Sequence, residues 1–156
     1  MALIRSVSRT TIFVRDIERS LAFWRDMLGL SVEIKATIPN PGASQILGQK
    51  CEAIRVTVLS AENVQTGNIG LAEVIGGEPP LSSPPMDSKV RLGETCLVIR
   101  TDHLSELLPV IKSVGTMIVS EPTKLELPIE EEVWEMFLRD PDGILINLSH
   151  HGPWSS

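Results

Sequence analysis

Carboxylates and imidazoles gather toward the C-terminal end of the chain, in "PIEEEVWEMF" and "SHHGPW". A carboxylate held in an apolar cleft can act as a general base, and imidazole titrates near neutral pH. Glu130, Glu131 and Glu132 are consecutive, and successive residues of an extended segment point to opposite sides, so the three cannot converge on one pocket. They read as a solvated loop with one residue at the start of a strand. Glu135 differs, because a charge inside a strand must enter a cleft or face outward, and both directions stay open. His150 and His151 are adjacent, so they do not easily bind one ion, and a solvated tail is the plainer reading. His103, at the start of a helix, is expected to be exposed. Trp134 and Phe137 lie on the same strand as Glu135. One of them could stack on an apolar ligand, the alternative being core packing.

The elements that must position these residues form a repeated unit. "TTIFV" is rich in β-branched residues and predicts a strand. Asp16 stands where an N-cap belongs, Ile17, Leu21, Trp24 and Leu28 follow on one helical stripe, and Gly29 ends the helix. Trp24 is thus expected in the core. "LSVEIKATI", "CEAIRVTVLS" and "NIGLAEVIG" predict three further strands. A weaker copy follows: "TCLVIR" as a strand, Asp102 as the candidate cap, then Leu104, Leu107, Leu108, Ile111 and Val114 on a helix that contains Pro109 and ends at Gly115. "TMIVSEP", "VWEMFLRD" and "ILINLSH" predict its strands, and "DPDG" at 140–143 predicts the turn joining the last two.

The chain is therefore expected to be one α+β domain over 1–156, made of βαβββ modules at 9–76 and 93–150 with a Pro- and Gly-rich linker at 77–92. The modules would form paired curved mixed sheets around a cleft, the kind of concavity that takes small molecules. "IPNPGASQILGQK", between two strands, is read as a candidate lid over such a site.

Bulk properties narrow the partners. A chain of 156 residues with 42% hydrophobic and 22% charged residues is ordinary globular material, which argues against wholesale disorder. A net charge of -6 without a basic run argues against nucleic acid. Apolar runs of strand length argue against a membrane span. "MALIRSVSRTTIF" carries no signal-peptide pattern, and two cysteines, Cys51 and Cys96, suit neither a disulfide scaffold nor a metal knuckle. A cytoplasmic protein with free thiols is the expectation.

"VRDIERSLAFWRDMLGL" together with "FLRDPDGILINLSH" resembles the vicinal oxygen chelate superfamily, which includes glyoxalases, bleomycin resistance proteins and extradiol dioxygenases. The resemblance runs from Arg9 to His150 and includes the duplication. It implies the glyoxalase-like fold, a small organic ligand and a homodimer. In metal-using members a divalent ion is held by side chains from the first and last strands of each module and acts as a Lewis acid. Carried over, the first position falls on Arg9, a permanent cation, and the second on Glu73 in "LAEVI". The third falls on Cys96, or on Thr95 if the match slips by one, and the last on Asn147.

That set is poor for a hard oxygen-preferring ion, so no cofactor is expected, although a divalent metal stays possible, with Glu73 the first ligand to consider. Arg9 could face Glu73 as an ion pair in place of the ion, or take a substrate carboxylate; a salt bridge that merely fills the site is the alternative. The resulting expectation is a metal-independent binder or enzyme. Glu73, Arg9 and Glu135 are its candidate catalytic residues, and Arg9, Cys96, Trp134, Phe137 and Asn147 its ligand-binding residues. A metal-dependent lyase, isomerase or dioxygenase with atypical ligands is the competing reading.

Overall fold

Alternation in "RTTIF" sends Ile12 into the interior while Arg9, Thr11 and Phe13 take the other face, and this strand, β1 (Arg9–Phe13), opens the first of two compact units, Met1–Leu81 and Ser82–Ser156. The computed structural model describes residues 8–62, 64, 66–77, 86–128 and 130–154. The start of the N-terminal stretch read for a signal, and residues 78–85 of the expected linker, lie outside them.

In the first unit Asp16 caps helix α1 (Ile17–Leu21) by accepting from the backbone N–H groups of Glu18 and Arg19. The helix continues as a π-helical stretch, Ala22–Met27, that buries Phe23 and Trp24. Trp24 and Leu21 are wholly buried, as the stripe predicts. Strands β2 (Ser31–Pro39), β3 (Cys51–Ser60) and β4 (Asn68–Gly77) complete a four-stranded mixed sheet ordered β1-β4-β3-β2, with β1 parallel to β4 and the other pairings antiparallel.

The expected lid between β2 and β3 instead folds as a short helix, α2 (Gly42–Leu47), whose Ala43 is buried against Cys51, Ile54 and Ala72. It covers one end of the sheet face that also carries Arg9. Flanking prolines and glycines hid so short a helix in the sequence, and packing rather than propensity holds it.

The second unit repeats the plan. Strand β5 (Cys96–Arg100), helix α3 (Leu104–Ser113), and strands β6 (Met117–Leu125), β7 (Val133–Arg139) and β8 (Leu145–His151) form a sheet ordered β5-β8-β7-β6 with the same parallel and antiparallel pattern. Helix α3 starts one residue later than the Asp102 cap implies. His103 occupies the cap position without a side-chain capping bond, and Pro109 lies inside the helix.

The "DPDG" turn forms as predicted. Asp140 Oδ1 accepts from the N–H groups of Asp142 and Ile144 at 2.9 Å each, and Gly143 takes a φ of 93°. Among the described residues no helix is long and apolar enough to cross a membrane.

Candidate functional site

Register decides which candidates share a face. In the first unit Arg9 pairs with Asn68, Thr11 with Gly70 and Phe13 with Ala72. A Cβ built on Gly70 would lie 2.8 Å from Thr11 Oγ1 and 2.9 Å from Arg9 Cδ, so both side chains lie across that glycine on one face. Glu73 is one residue beyond Ala72 and projects from the opposite face, toward α1. Its Oε2 accepts from the backbone N–H of Ile17 at 3.3 Å and from Arg55 Nη2, the cross-strand neighbour on β3.

The structure therefore does not bring Arg9 and Glu73 together. Arg9 donates instead to Thr11 Oγ1 at 3.0 Å, and Glu73 joins strand to helix. A pocket of about 310 Å³ opens beside the Arg55–Glu73 pair, walled by Ile17, Lys35, Thr37 and Thr57 among others. None of the residues named from the sequence as candidate site residues lines it.

The second unit gathers more of the candidates. Phe137 pairs with Asn147 and Glu135 with Ser149 across β7 and β8, while Val98 pairs with Asn147 across β5 and β8. Cys96, Val98, Glu135, Phe137 and Asn147 thus occupy one sheet face, with Ile146 and Leu148 on the other. Asn147 Nδ2 donates to Glu135 Oε2 at 2.8 Å. Asn147 is only 5% exposed, and its Oδ1 has no hydrogen-bond partner among the described residues.

Cys96 belongs to the same cluster. Burial pushes its thiol pKa up, the nearby Glu135 and Glu94 carboxylates push it further, and a hydrogen bond with the Asn147 backbone only partly opposes them. The thiol stays protonated at neutral pH, which makes Cys96 a weak donor rather than a nucleophile.

Trp134 projects from the other face, opposite His150, and packs on Trp154 with ring centroids 4.9 Å apart. Only Phe137 of the two aromatics borders the Asn147 face. The remaining acids and imidazoles disperse. Glu131 holds His151 at 2.9 Å, Glu132 holds Lys124 at 2.6 Å and His103 holds Glu106 at 3.0 Å. Each pairing has its electrostatic sign: the Glu131 and Glu132 carboxyls are depressed by His151 and Lys124, and the His103 imidazole is raised by Glu106. His150 is buried, its ring nitrogens against the carbonyl oxygens of Thr101 and Pro153.

Two further residues carry weight that the sequence reading missed. Arg139 is 1% exposed and makes four hydrogen bonds, to the carbonyls of Asp87, Lys89 and Gly143 and to Glu94 Oε1. It clamps the 87–94 segment onto the end of β7. Asn68, beside Arg9, has a buried Oδ1 without a partner among the described residues. An arginine directly before "DPDG" was the available signal for the first, and nothing in the sequence marked the second.

The residues present fit a divalent metal poorly. Seven positions before the observed helix caps stand Arg9 and Cys96. The counterpart of Asn147 in the first unit is Gly70, since Val98 pairs with Asn147 as Thr11 pairs with Gly70, and Glu73 lies on the other face. A cation, a glycine, a protonated thiol and a neutral amide, with the single carboxylate of Glu135 beside the last, supply too few hard oxygen donors. Among the described residues no group of three or more His, Cys, Asp or Glu side chains could hold a metal ion.

Solved structures share this architecture. A glyoxalase family protein from Bacillus cereus superposes with a TM-score of 0.74 at 18% identity, covering 98% of this chain and 99% of that one. The trypanothione-dependent glyoxalase I of Leishmania major gives 0.63 at 20% identity over 94% and 87%. TnmS3, an antibiotic-binding protein from Streptomyces sp. CB03234, gives 0.59 at 17% identity over 96% and 98%. At these identities the likeness is one of fold. No curated protein sequence matches. The family model of the glyoxalase/bleomycin resistance protein/dioxygenase superfamily matches residues 6–148, and the chain belongs to that superfamily.

Proposed function

We propose that this protein binds a small organic molecule without a divalent metal, using the sheet face of the second unit that carries Cys96, Val98, Glu135, Phe137 and Asn147. The observation that carries this reading is the buried Asn147 amide, held by Glu135 through Nδ2 and without a partner for Oδ1 among the described residues. Buried polar groups without partners are uncommon in folded proteins, and a ligand is one way to complete them. Phe137 and the exposed Val98 supply the apolar surface that gives such a ligand most of its affinity.

Of the three candidate catalytic residues, Glu135 is the one on this face. In this reading proton transfer, where it occurs, belongs to Glu135, while Glu73 has a structural role and Arg9 stays with Thr11 on the first unit's own sheet. The likeness to TnmS3 favours binding as the primary activity. The same reading takes the protein as a cytoplasmic homodimer. Its two cysteines are free, and each sheet ends on strands, β1 and β2 or β5 and β6, that leave backbone edges to associate.

A fragment library screened in the presence of a chelator, by thermal shift and ligand-observed NMR, tests the proposal. Apolar fragments that bind the wild-type chain and are lost in Phe137→Ala and Asn147→Leu are expected. Hits that need an added divalent ion, or that are unaffected by both substitutions, would contradict it.

A further inference from the structure

The Asn147–Glu135 pair also defines what kind of ligand the face accepts. A carboxylate only accepts hydrogen bonds, so the Asn147 amide must turn its Nδ2–H toward Glu135 and its Oδ1 away. One cluster therefore holds two acceptors, a carboxylate and a buried amide oxygen, the latter without a donor among the described residues.

Of the nearby cations Lys124 and Arg139 are tightly held, while Arg100, mostly exposed as the last residue of β5, only approaches a carboxylate. Arg100 lies 4.0 Å from Glu131, Lys124 is held by Glu132, and Arg139 spends its guanidinium on Glu94 and three carbonyls. Among the described residues no ion pair is made by Glu135, a half-buried group with negative charge to place. The protonated Cys96 thiol adds no charge, and Val98, 68% exposed, and Phe137 add an apolar margin.

Resting on the binding role proposed above, we infer that the ligand is a cation or a multiple N–H donor, an amine or amidine on an aromatic or aliphatic body. Its nitrogen donates to the Glu135 carboxylate, and its body lies against Phe137 and Val98. A carboxylate or phosphate in that position would face two acceptors and a like charge. The face thus selects by sign as well as by shape.

The test uses three probes of equal size and different charge: benzylamine, benzyl alcohol and benzoate. Each is titrated into the full-length, isotopically labelled chain in the presence of a chelator, following the backbone amides of Cys96, Val98, Phe137 and Asn147. Benzylamine is expected to move these signals and to bind at least about tenfold more tightly than benzoate, an advantage that Glu135→Gln removes while its spectrum stays dispersed.

Stronger binding of benzoate at these residues, or benzylamine binding untouched by Glu135→Gln, would overturn the ligand class and leave the binding face standing. If none of the three probes moves these signals in the folded wild-type chain, the face is not a binding site and both readings fall.

Discussion

Asn147 gives its side-chain N–H to Glu135 at 2.8 Å and keeps its own carbonyl oxygen buried, without a partner among the described residues. Removing either half of the pair should have opposite consequences for stability. Asn147→Leu deletes an unsatisfied acceptor, so unfolding free energy should change by less than about 1 kcal/mol or rise, while ligand binding is lost. Glu135→Leu instead strands the buried Asn147 amide N–H and should cost about 1–3 kcal/mol. Chemical denaturation of both variants checks this, and a loss above about 3 kcal/mol in either would assign the pair to the core rather than to a ligand.

Glu73 is expected to behave as a structural residue. It ties Ile17 N–H and Arg55 to β4, and Arg55 is nearly half exposed, so water screens the pair. Glu73→Ala should cost about 1–2 kcal/mol through the lost helix contact and leave ligand affinity unchanged. Denaturation and a binding titration on one preparation separate the two effects.

Much of this architecture could be read from the chain. The Asp16 cap, the Ile17 to Leu28 stripe and "DPDG" are local signals, and each appears in the structure because backbone groups at helix ends and turns must find partners nearby. The faces of the strands were harder. "LAEVI" matches the family pattern around a ligand glutamate, yet a one-residue difference in register turns a strand side chain to the other face, and Glu73 points at α1.

Partners distant in sequence were also hidden. Nothing local links Glu73 to Arg55 or Arg139 to Glu94, because each contact exists only once the sheet or the 87–94 segment is in place. Asn147 was identified by its place in the motif, but its unpartnered oxygen is a property of the packing.

Arg139 should be the most sensitive surface-remote position in the second unit. Its replacement by Met strands three carbonyls and a carboxylate, and should cost about 3–5 kcal/mol. Hydrogen exchange should show the 87–94 amides losing protection first, whereas unchanged protection there would contradict the clamp.

The same clamp predicts an acid response. Arg139 depresses the Glu94 carboxyl and Arg91 depresses that of Asp87. Folded-state values below the unfolded ones mean that the stabilisation is fully present above the ordinary carboxylate range, roughly pH 4 to 5, and is lost as pH falls through the depressed values. Stability measured from pH 7 downward should hold until about pH 5 and then decline, with a shallower decline in Glu94→Gln.

Gly70 is expected to tolerate no side chain without moving Arg9. Gly70→Ala places a methyl group 2.8 Å from Thr11 Oγ1 and 2.9 Å from Arg9 Cδ, so these two exposed side chains must turn aside, at a cost of about 1 kcal/mol or less. Pairing it with Thr11→Ala should recover part of that loss, and additive costs would show that the contact is not the cause.

Metal dependence separates this account from the other chemistry found in the superfamily. The most direct measurement is elemental analysis of the purified, untagged chain before and after incubation with manganese, zinc, nickel or iron, read alongside thermal stability. A metal-free binding protein should give substoichiometric metal, no thermal shift with any of the four ions, and small-molecule binding that a chelator leaves intact. One tightly held ion per chain, lost in Asn147→Ala or Glu135→Ala and required for binding, would contradict it.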